Sequence, residues 1–508
     1  MPAFIGIDIG TTGAKTLAID ETGASLASAT AEYPLHTPHP GWAEQSPADW
    51  WRATVETLRV VLATVPAKDV AAVSFSGQMH GSVFLDRNGE VIRECLLWCD
   101  QRTAPQCEEI LDRLGQDRLT EMTANTALAG FTSPKVLWLK EEEPDNYARL
   151  STLLLPKDYV RFRLTGEVAQ EMSDAAGTLM FDVRRRRWSA EFMAAMDLDD
   201  AMLPPVYEST DKAGAVTAAA AKETGLAEGT PVVAGGADNT CGATGTGVVR
   251  PGLALVSTGT SGVVFSPTAQ PAPDPAQRIH CFCHSAPNVW YQMGCMLSAG
   301  GSYRWYRDAL CEPEVAEAKA KGVDPYEILT AEAADAPLGC EGLLFLPYLT
   351  GERSPHGDPN ARGVWFGISL RHGRAHLSRS ILEGVSFGLR DSLEVMRELG
   401  TQIDQVRATG GGARSPLWRQ IQADVLGVPL CTVNTSEGPA FGAALMAAVG
   451  AGAFDSLEQA AGATVKVVDR TEPIPANVKR YEEYYGLFRE LYPGLKGSFA
   501  KDAALAEG

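Results

Sequence analysis

No apolar run in these 508 residues approaches the roughly 20 positions that a bilayer-spanning helix needs, which argues against a membrane protein. The opening Met1-Pro2-Ala3-Phe4-Ile5-Gly6 has neither a basic leader nor a long apolar stretch, so it does not read as a secretion signal. Paired Cys-x-x-Cys spacing is missing as well. The ten cysteines are scattered singly and read as reduced thiols of a cytoplasmic protein. The tightest group, Cys281-Phe282-Cys283-His284, lacks partners at zinc-finger spacing and reads as packed thiols at a strand end rather than as a metal site. Basic residues are scarce, 44 against 63 acidic, and the net charge of -19 repels nucleic acid and anionic membranes over most of the surface. An anionic substrate therefore needs a local positive pocket. Low-complexity segments are absent.

The length exceeds what one core usually serves, so at least two domains are expected. The first organising stretch is Phe4 to Asp20, two apolar strands around a turn rich in Gly and Thr. Its Thr11 and Thr12 offer free backbone N–H groups and hydroxyls, the chemistry that cradles phosphate oxygens. Gly13-Ala14-Lys15-Thr16 superficially resembles a P-loop, but the glycine spacing differs and a strand follows. Leu253 to Phe265 repeats the arrangement with Thr258-Gly259-Thr260 at the turn, an internal repeat of about half the chain. Two such hairpins facing each other would grip one polyphosphate from both sides. Asp8 lies inside the first strand, where a carboxylate is depleted. Beside a phosphate-type turn it reads as holding Mg2+ through water, with a turn-capping Asp as the plainer alternative.

Between the hairpins, Val232-Val233-Ala234-Gly235-Gly236-Ala237-Asp238-Asn239 carries a β-branched run into two glycines and then a carboxylate. Asp238 is thus presented at a strand end beside a candidate domain junction, a favoured place for ligand clefts, and is the first candidate for chemistry. A strand from Val70 delivers Gly77-Gln78-Met79-His80-Gly81, whose amide and imidazole suit sugar hydroxyls, although a lone loop histidine is more often structural. In Trp98-Cys99-Asp100-Gln101-Arg102 the Asp and Arg read as a plain ion pair. Leu153 to Thr178, with Pro156-Lys157-Asp158-Tyr159 and Ser173-Asp174, is placed near the cleft only loosely. A helix is expected from Ser46 as N-cap and Pro47, with Trp51, Val55, Leu58 and Leu62 on its apolar face. Pro267 to Pro275 reads as a loop. Leu377, Ile381, Val385, Leu389, Leu393 and Met396 form the core stripe of a helix ended by Gly400. Gly410-Gly411-Gly412 precede a helix capped by Ser415, and Val478, Tyr481, Tyr485, Phe488 and Leu491 make a last helix with frayed residues beyond Gly494.

Two long segments carry a resemblance: Gly130-Phe131-Thr132-Ser133-Pro134-Lys135 through Glu142, and Gly363-Val364-Trp365-Phe366-Gly367-Ile368 through Glu383. Both resemble signatures of the FGGY family of carbohydrate kinases, within the actin and sugar-kinase ATPase superfamily, and the likeness covers essentially the whole chain. It implies an α/β fold of two ribonuclease-H-like domains, 1–246 and 247–508, with nucleotide and sugar in the cleft between them. Gly77 to Gly81, Leu155 to Tyr159 and Leu346 to Arg353 resemble segments of the family's D-xylulose kinases; the Arg-Glu pair of its glycerol kinases is absent from the first. The implied reaction moves the ATP γ-phosphoryl group to the 5-hydroxyl of D-xylulose. By resemblance Asp238 is the general base and Asp8 acts through Mg2+. Thr11, Thr12, Gly259 and Thr260 meet the phosphates, and Gly300, Gly411 and Gly412 surround the adenosine. Met79 and His80, with Gln78 and Asn239, hold the sugar, and Arg304 stands where some relatives have a polar amide. Another ketose or polyol, such as L-ribulose or glycerol, is the nearest alternative; an ATP-switch protein of the superfamily is more distant. The expected partner is a small-molecule sugar, and a homodimer is among the assemblies the sequence leaves open.

Overall fold

The computed structural model describes residues 2–506. Its N-terminal half is built on β1 (Ala3–Ile9), β2 (Gly13–Ile19), β3 (Ser25–Glu32), β4 (Val70–Gly77), β5 (Lys212–Ala215) and β6 (Pro231–Val233), in the order β5-β6-β4-β1-β2-β3. The first three strands are antiparallel neighbours, whereas β4 runs parallel to β1 and β6 parallel to β4. The C-terminal half comprises β7 (Gly252–Thr258), β8 (Gly262–Thr268), β9 (His280–Cys283), β10 (Trp290–Met296), β11 (Ile403–Thr409), β12 (Leu430–Val433) and β13 (Val467–Thr471), in the order β9-β10-β8-β7-β11-β12-β13. Here β7, β8 and β10 are antiparallel neighbours, β11 runs parallel to β7, and β12 parallel to β11. The core β3-β2-β1-β4-β6 is therefore repeated as β10-β8-β7-β11-β12. The sequence repeat is a structural duplication, and each half is a ribonuclease-H-like α/β unit.

β1 reads as a nearly continuous apolar run because both its faces are buried. Ile5, Ile7 and Ile9 pack with Trp50 and Leu58 of α1 (Pro47–Leu62). The helix starts where the sequence places it, but Ser46 makes no side-chain capping bond. Of its expected face, Trp51 and Leu58 are buried and Val55 and Leu62 pack half-buried against the same core, with Trp50, Thr54 and Val61 buried beside them. The buried face also takes in Thr54 and Thr57: the Thr57 hydroxyl is satisfied by the Ala53 carbonyl and by Thr16 of β2, at 3.0 and 2.7 Å.

The remaining helices that position the site are α2 (Asp238–Gly245), α3 (Gly300–Leu310), α4 (Arg374–Glu398), α5 (Pro416–Leu426), α6 (Pro439–Gly450) and α7 (Pro475–Ala506). The core stripe of α4 is buried from Ile381 to Met396, and the Ser415 hydroxyl accepts from Trp418 N at the start of α5. α6 comes from the C-terminal half yet covers the second face of the N-terminal sheet: Phe441, Ala444 and Leu445 share one core with Phe4, Leu17 and Ala72. Small residues permit this. A Cβ on Gly6 would lie 2.0 Å from the Ala440 carbonyl oxygen, and one on Gly442 would lie 1.9 Å from that of Cys241 in α2.

Two further expectations are corrected. β8 continues through Pro267 to Thr268, so the loop starts later. Pro267 lies beyond Phe265, the last β8 residue in register with β7, and pairs only with β10, so its missing N–H interrupts no ladder on the β7 side. The last helix does not fray at Gly494 but runs to Ala506, because Phe499 joins the same buried cluster as Tyr485 and Phe488. No helix among the described residues is long and apolar enough to cross a membrane.

Candidate active site

The parallel strands β1 and β4 end side by side, and a short strand, Gly236–Ala237, joins β4 next to them. Asp8 is in register with Ser76, and Ser76 with Gly236, so Asp8, the Gly77 to His80 loop and Asp238 issue from one edge of the sheet, the edge at which open α/β sheets bind ligands. Gly235 makes the entry to Asp238 possible. It has φ +89°, and a Cβ there would meet the Phe75 carbonyl oxygen at 2.3 Å. Asp238 opens α2 with the Asn239 N–H donating to its Oδ1 at 2.7 Å. Burial first, and then the negative charge of Asp8, push its carboxyl up to about 7, against the lowering effect of that N–H. Asp8 accepts from the Ser76 hydroxyl at 2.7 Å; burial raises its carboxyl too, opposed by Ser76 and the Lys15 charge.

These strand ends rest on a buried charge network that sequence reasoning located without assigning. Lys157 Nζ lies 2.9 Å from Asp158, 3.2 Å from Asp174 and 3.4 Å from Glu171, all four side chains fully buried. A Cβ on Gly77 would lie 2.8 Å from the Lys157 Cβ, so the network sits directly under the sugar loop. Glu171 accepts from the hydroxyls of Ser173 and Ser209, and the Ser173 oxygen accepts from Ala237 N at 3.0 Å, one residue before Asp238. Burial opposes the Lys157 ammonium, but Asp158, Asp174 and Glu171 hold it charged.

In the loop itself, Met79 Sδ accepts from Asn239 Nδ2 at 3.4 Å, which brings two expected sugar contacts together beside Asp238. His80 has φ +67° and its Nδ1 lies 2.7 Å from the Gly177 carbonyl oxygen, so Nδ1 donates and Nε2 is left as an acceptor. Burial and then the Lys135 charge drive this imidazole well below its usual range, keeping it neutral. Gln78, expected to contact sugar, is committed elsewhere. Its amide nitrogen donates to Gln45 Oε1 at 2.9 Å and to the Gly10 carbonyl at 3.3 Å, and its oxygen accepts from the Thr11 hydroxyl. It braces the first turn.

In that turn Gly10 N donates to the Gly13 carbonyl, whereas the Thr11 and Thr12 N–H groups have no partner among the described residues. In the second turn Gly259 N donates to the Ser261 carbonyl, and the backbone N–H groups of Ala299 and Gly301 hold the Thr260 carbonyl. Gly259, Thr260, Gly300, Gly411 and Gly412 line one cavity of about 650 Å³, with Tyr303 and Trp418 as flat walls. A Cβ on Gly300 would lie 2.5 Å from the Gly259 carbonyl oxygen, and one on Gly412 would lie 2.7 Å from Thr258 Cγ2. Arg304 and Arg414 also line this cavity, with Asp324 and Glu327 on the same lining. The expected residues thus form two groups: a groove in the second half, and the strand ends of the first half with Asp8, Thr11, Thr12, Met79, His80, Asp238 and Asn239. The Asp100–Arg102 pair is structural, buried and stacked on Trp42 at 3.5 Å. Cys281 and Cys283 of β9 and His284 just beyond it are buried, and no group of His, Cys, Asp and Glu among the described residues is arranged to hold a metal by itself.

Two duplicated halves, a glycine-lined groove and an acid at the strand ends define a phosphotransferase architecture of the actin and sugar-kinase type. Residues 3–245 match the N-terminal domain of the FGGY family of carbohydrate kinases and residues 254–451 match its C-terminal domain; the chain belongs to this family. It is 40% identical over 498 residues to the xylulose kinase of Bacillus subtilis, covering 98% of each chain. It is 41% identical over 455 residues to the xylulose kinase of Escherichia coli, covering 89% of this chain and 91% of that one. The crystal structure of xylulose kinase from Rhodospirillum rubrum superposes with a TM-score of 0.91 at 31% identity, over 98% of this chain and 100% of that one.

Proposed function

We propose that the protein is a cytoplasmic enzyme that transfers the γ-phosphoryl group of ATP to the 5-hydroxyl of D-xylulose. The observation that carries this reading is Asp238: a carboxyl at the strand ends, beside Met79 and Asn239, with its proton affinity raised to about 7. A base poised near the operating pH extracts a hydroxyl proton most efficiently. The names of the full-length relatives support the choice of sugar.

In this mechanism Asp238 accepts the proton of the 5-hydroxyl as that oxygen attacks. The neutral His80 accepts from a sugar hydroxyl through Nε2, and Asn239 orients the hydroxyl next to the base. Thr11, Thr12 and Thr260 donate to phosphate oxygens as they separate, while Gly300, Gly411 and Gly412 let the nucleoside approach the backbone. The residues fit a magnesium nucleotide, since Asp8 and Asp238 form an acidic pair close enough for one charge to raise the other, and the N–H groups of the first turn are open. Bound magnesium ATP would supply the phosphoryl group and neutralise its charge, with Asp8 holding the ion through water. The test is a panel of sugars in a coupled ADP-release assay. D-xylulose is expected to give the highest kcat/KM, and an equal or higher value with L-ribulose or glycerol would overturn the substrate assignment.

A further inference from the structure

One cation of the C-terminal half has no assigned work. Arg353 lies on the loop after Leu346, half-buried, and no carboxylate pairs with it within 4.0 Å among the described residues. Glu352 Oε1 accepts from the backbone N–H groups of Leu297 and Arg353, at 2.9 and 2.7 Å, and so fastens the loop. Ser354 N donates to the Cys295 carbonyl at 2.9 Å, which seats the loop on the end of β10.

That seat faces the sugar loop. Cys295 is opposite Val263 in β8, and Met293, two residues earlier on the same face, is opposite His280 in β9. The His280 ring lies 5.7 Å from Phe131, which lies 4.5 Å from His80. The guanidinium charge lowers the Cys295 thiol against the effect of burial. After burial, its charge is what lowers His280, and it adds to the effects of burial and Lys135 on His80. Arg353 therefore adjoins the stretch of β10 that leads, through His280 and Phe131, to His80.

We propose that Arg353 is the sugar-binding residue contributed by the second half, its guanidinium donating to the carbonyl oxygen and adjoining hydroxyl at the ketol end of the substrate. A planar fork of donors fits two neighbouring oxygens, as a point-like ammonium does not. The N-terminal half alone then presents Asp238 and His80 to the sugar, and the clamp is complete only when both halves contribute. The contact also selects ketose over polyol, because reducing the ketone puts a tetrahedral hydroxyl where the guanidinium expects an in-plane acceptor.

The inference rests on the ketose-kinase reading above, and its test separates the two. Wild type, Arg353→Gln and Arg353→Lys are assayed with D-xylulose and with xylitol, the same carbon chain with the ketone reduced, and melting temperature and ATP KM are measured for each. Arg353→Gln is expected to lose about 10- to 100-fold in kcat/KM for D-xylulose, mainly through KM, as for a lost charge-assisted hydrogen bond. Its preference for D-xylulose over xylitol should fall about tenfold while ATP KM stays within about twofold, and Arg353→Lys should recover part of the loss. An unchanged preference, or a loss expressed in ATP KM, overturns the inference alone. If Arg353→Gln melts early, Arg353→Lys is read by the same preference ratio. A wild-type protein that does not phosphorylate D-xylulose overturns the ketose reading and this inference with it.

Discussion

A carboxyl held beside a second one, as Asp238 is beside Asp8, keeps its proton more tightly in the folded chain than in the unfolded one. Burial and the Asp8 charge bring it to about 7, whereas an unfolded aspartate titrates near about 4. Between those values the folded state binds the extra proton, so this group's contribution to stability falls as pH rises through the window. Asp238→Asn removes the effect. The variant is expected to melt above the wild type at pH 8 and by a smaller margin at pH 5, read by calorimetry at both pH values; equal melting at pH 8 would contradict the burial of charge. Asp238 was legible because an acid after Gly235-Gly236 at a strand end has few structural uses. The commitment of Gln78 was not, since its partner Gln45 is 33 residues away and only the fold brings the two amides to 2.9 Å.

Among the elements, the hairpins around Thr11 and Thr260 could be read in advance because Gly and Thr in a turn between apolar runs leave little choice of structure. The packing beneath them could not. Lys157, Glu171 and Ser173 look like ordinary polar residues, and they become a support only when Gly77 admits Lys157 under the sugar loop and Ser173 takes the Ala237 N–H. Removing one partner from such a network leaves carboxylates buried without their cation. Lys157→Met is expected to cost about 3–5 kcal/mol of stability, measured as a shift in denaturant midpoint at unchanged slope. A loss under about 1 kcal/mol, the size of an exposed pair, would show that water screens the site. The strand through Pro267 and the long α7 were misread for a related reason: Pro267 and Phe499 take their roles from tertiary partners, which local propensity does not report.

For the whole molecule, the duplication predicts two halves meeting near residue 246, but the core does not divide there. α6 lies far along the second half and closes the sheet of the first, with Phe441 and Leu445 against Phe4 and Leu17. A fragment comprising residues 1–246 would therefore expose that face. It is expected to show no cooperative melting transition, whereas a fusion restoring residues 439–450 should regain one; a fragment 1–246 that melts cooperatively as a monomer would contradict the shared core. The same tie joins α6 to the strands that lead to Asp8 and Asp238, since Phe4 and Val233 belong to that core.

The most direct test of Asp238 as the base is the rate of phosphoryl transfer from ATP to D-xylulose by a folded Asp238→Ala protein at saturating substrates. A general base contributes about 10²- to 10⁴-fold, or roughly 2.7–5.5 kcal/mol of barrier, and a loss in that range with ATP binding preserved is expected. Turnover within a few-fold of the wild type would remove Asp238 from the chemistry.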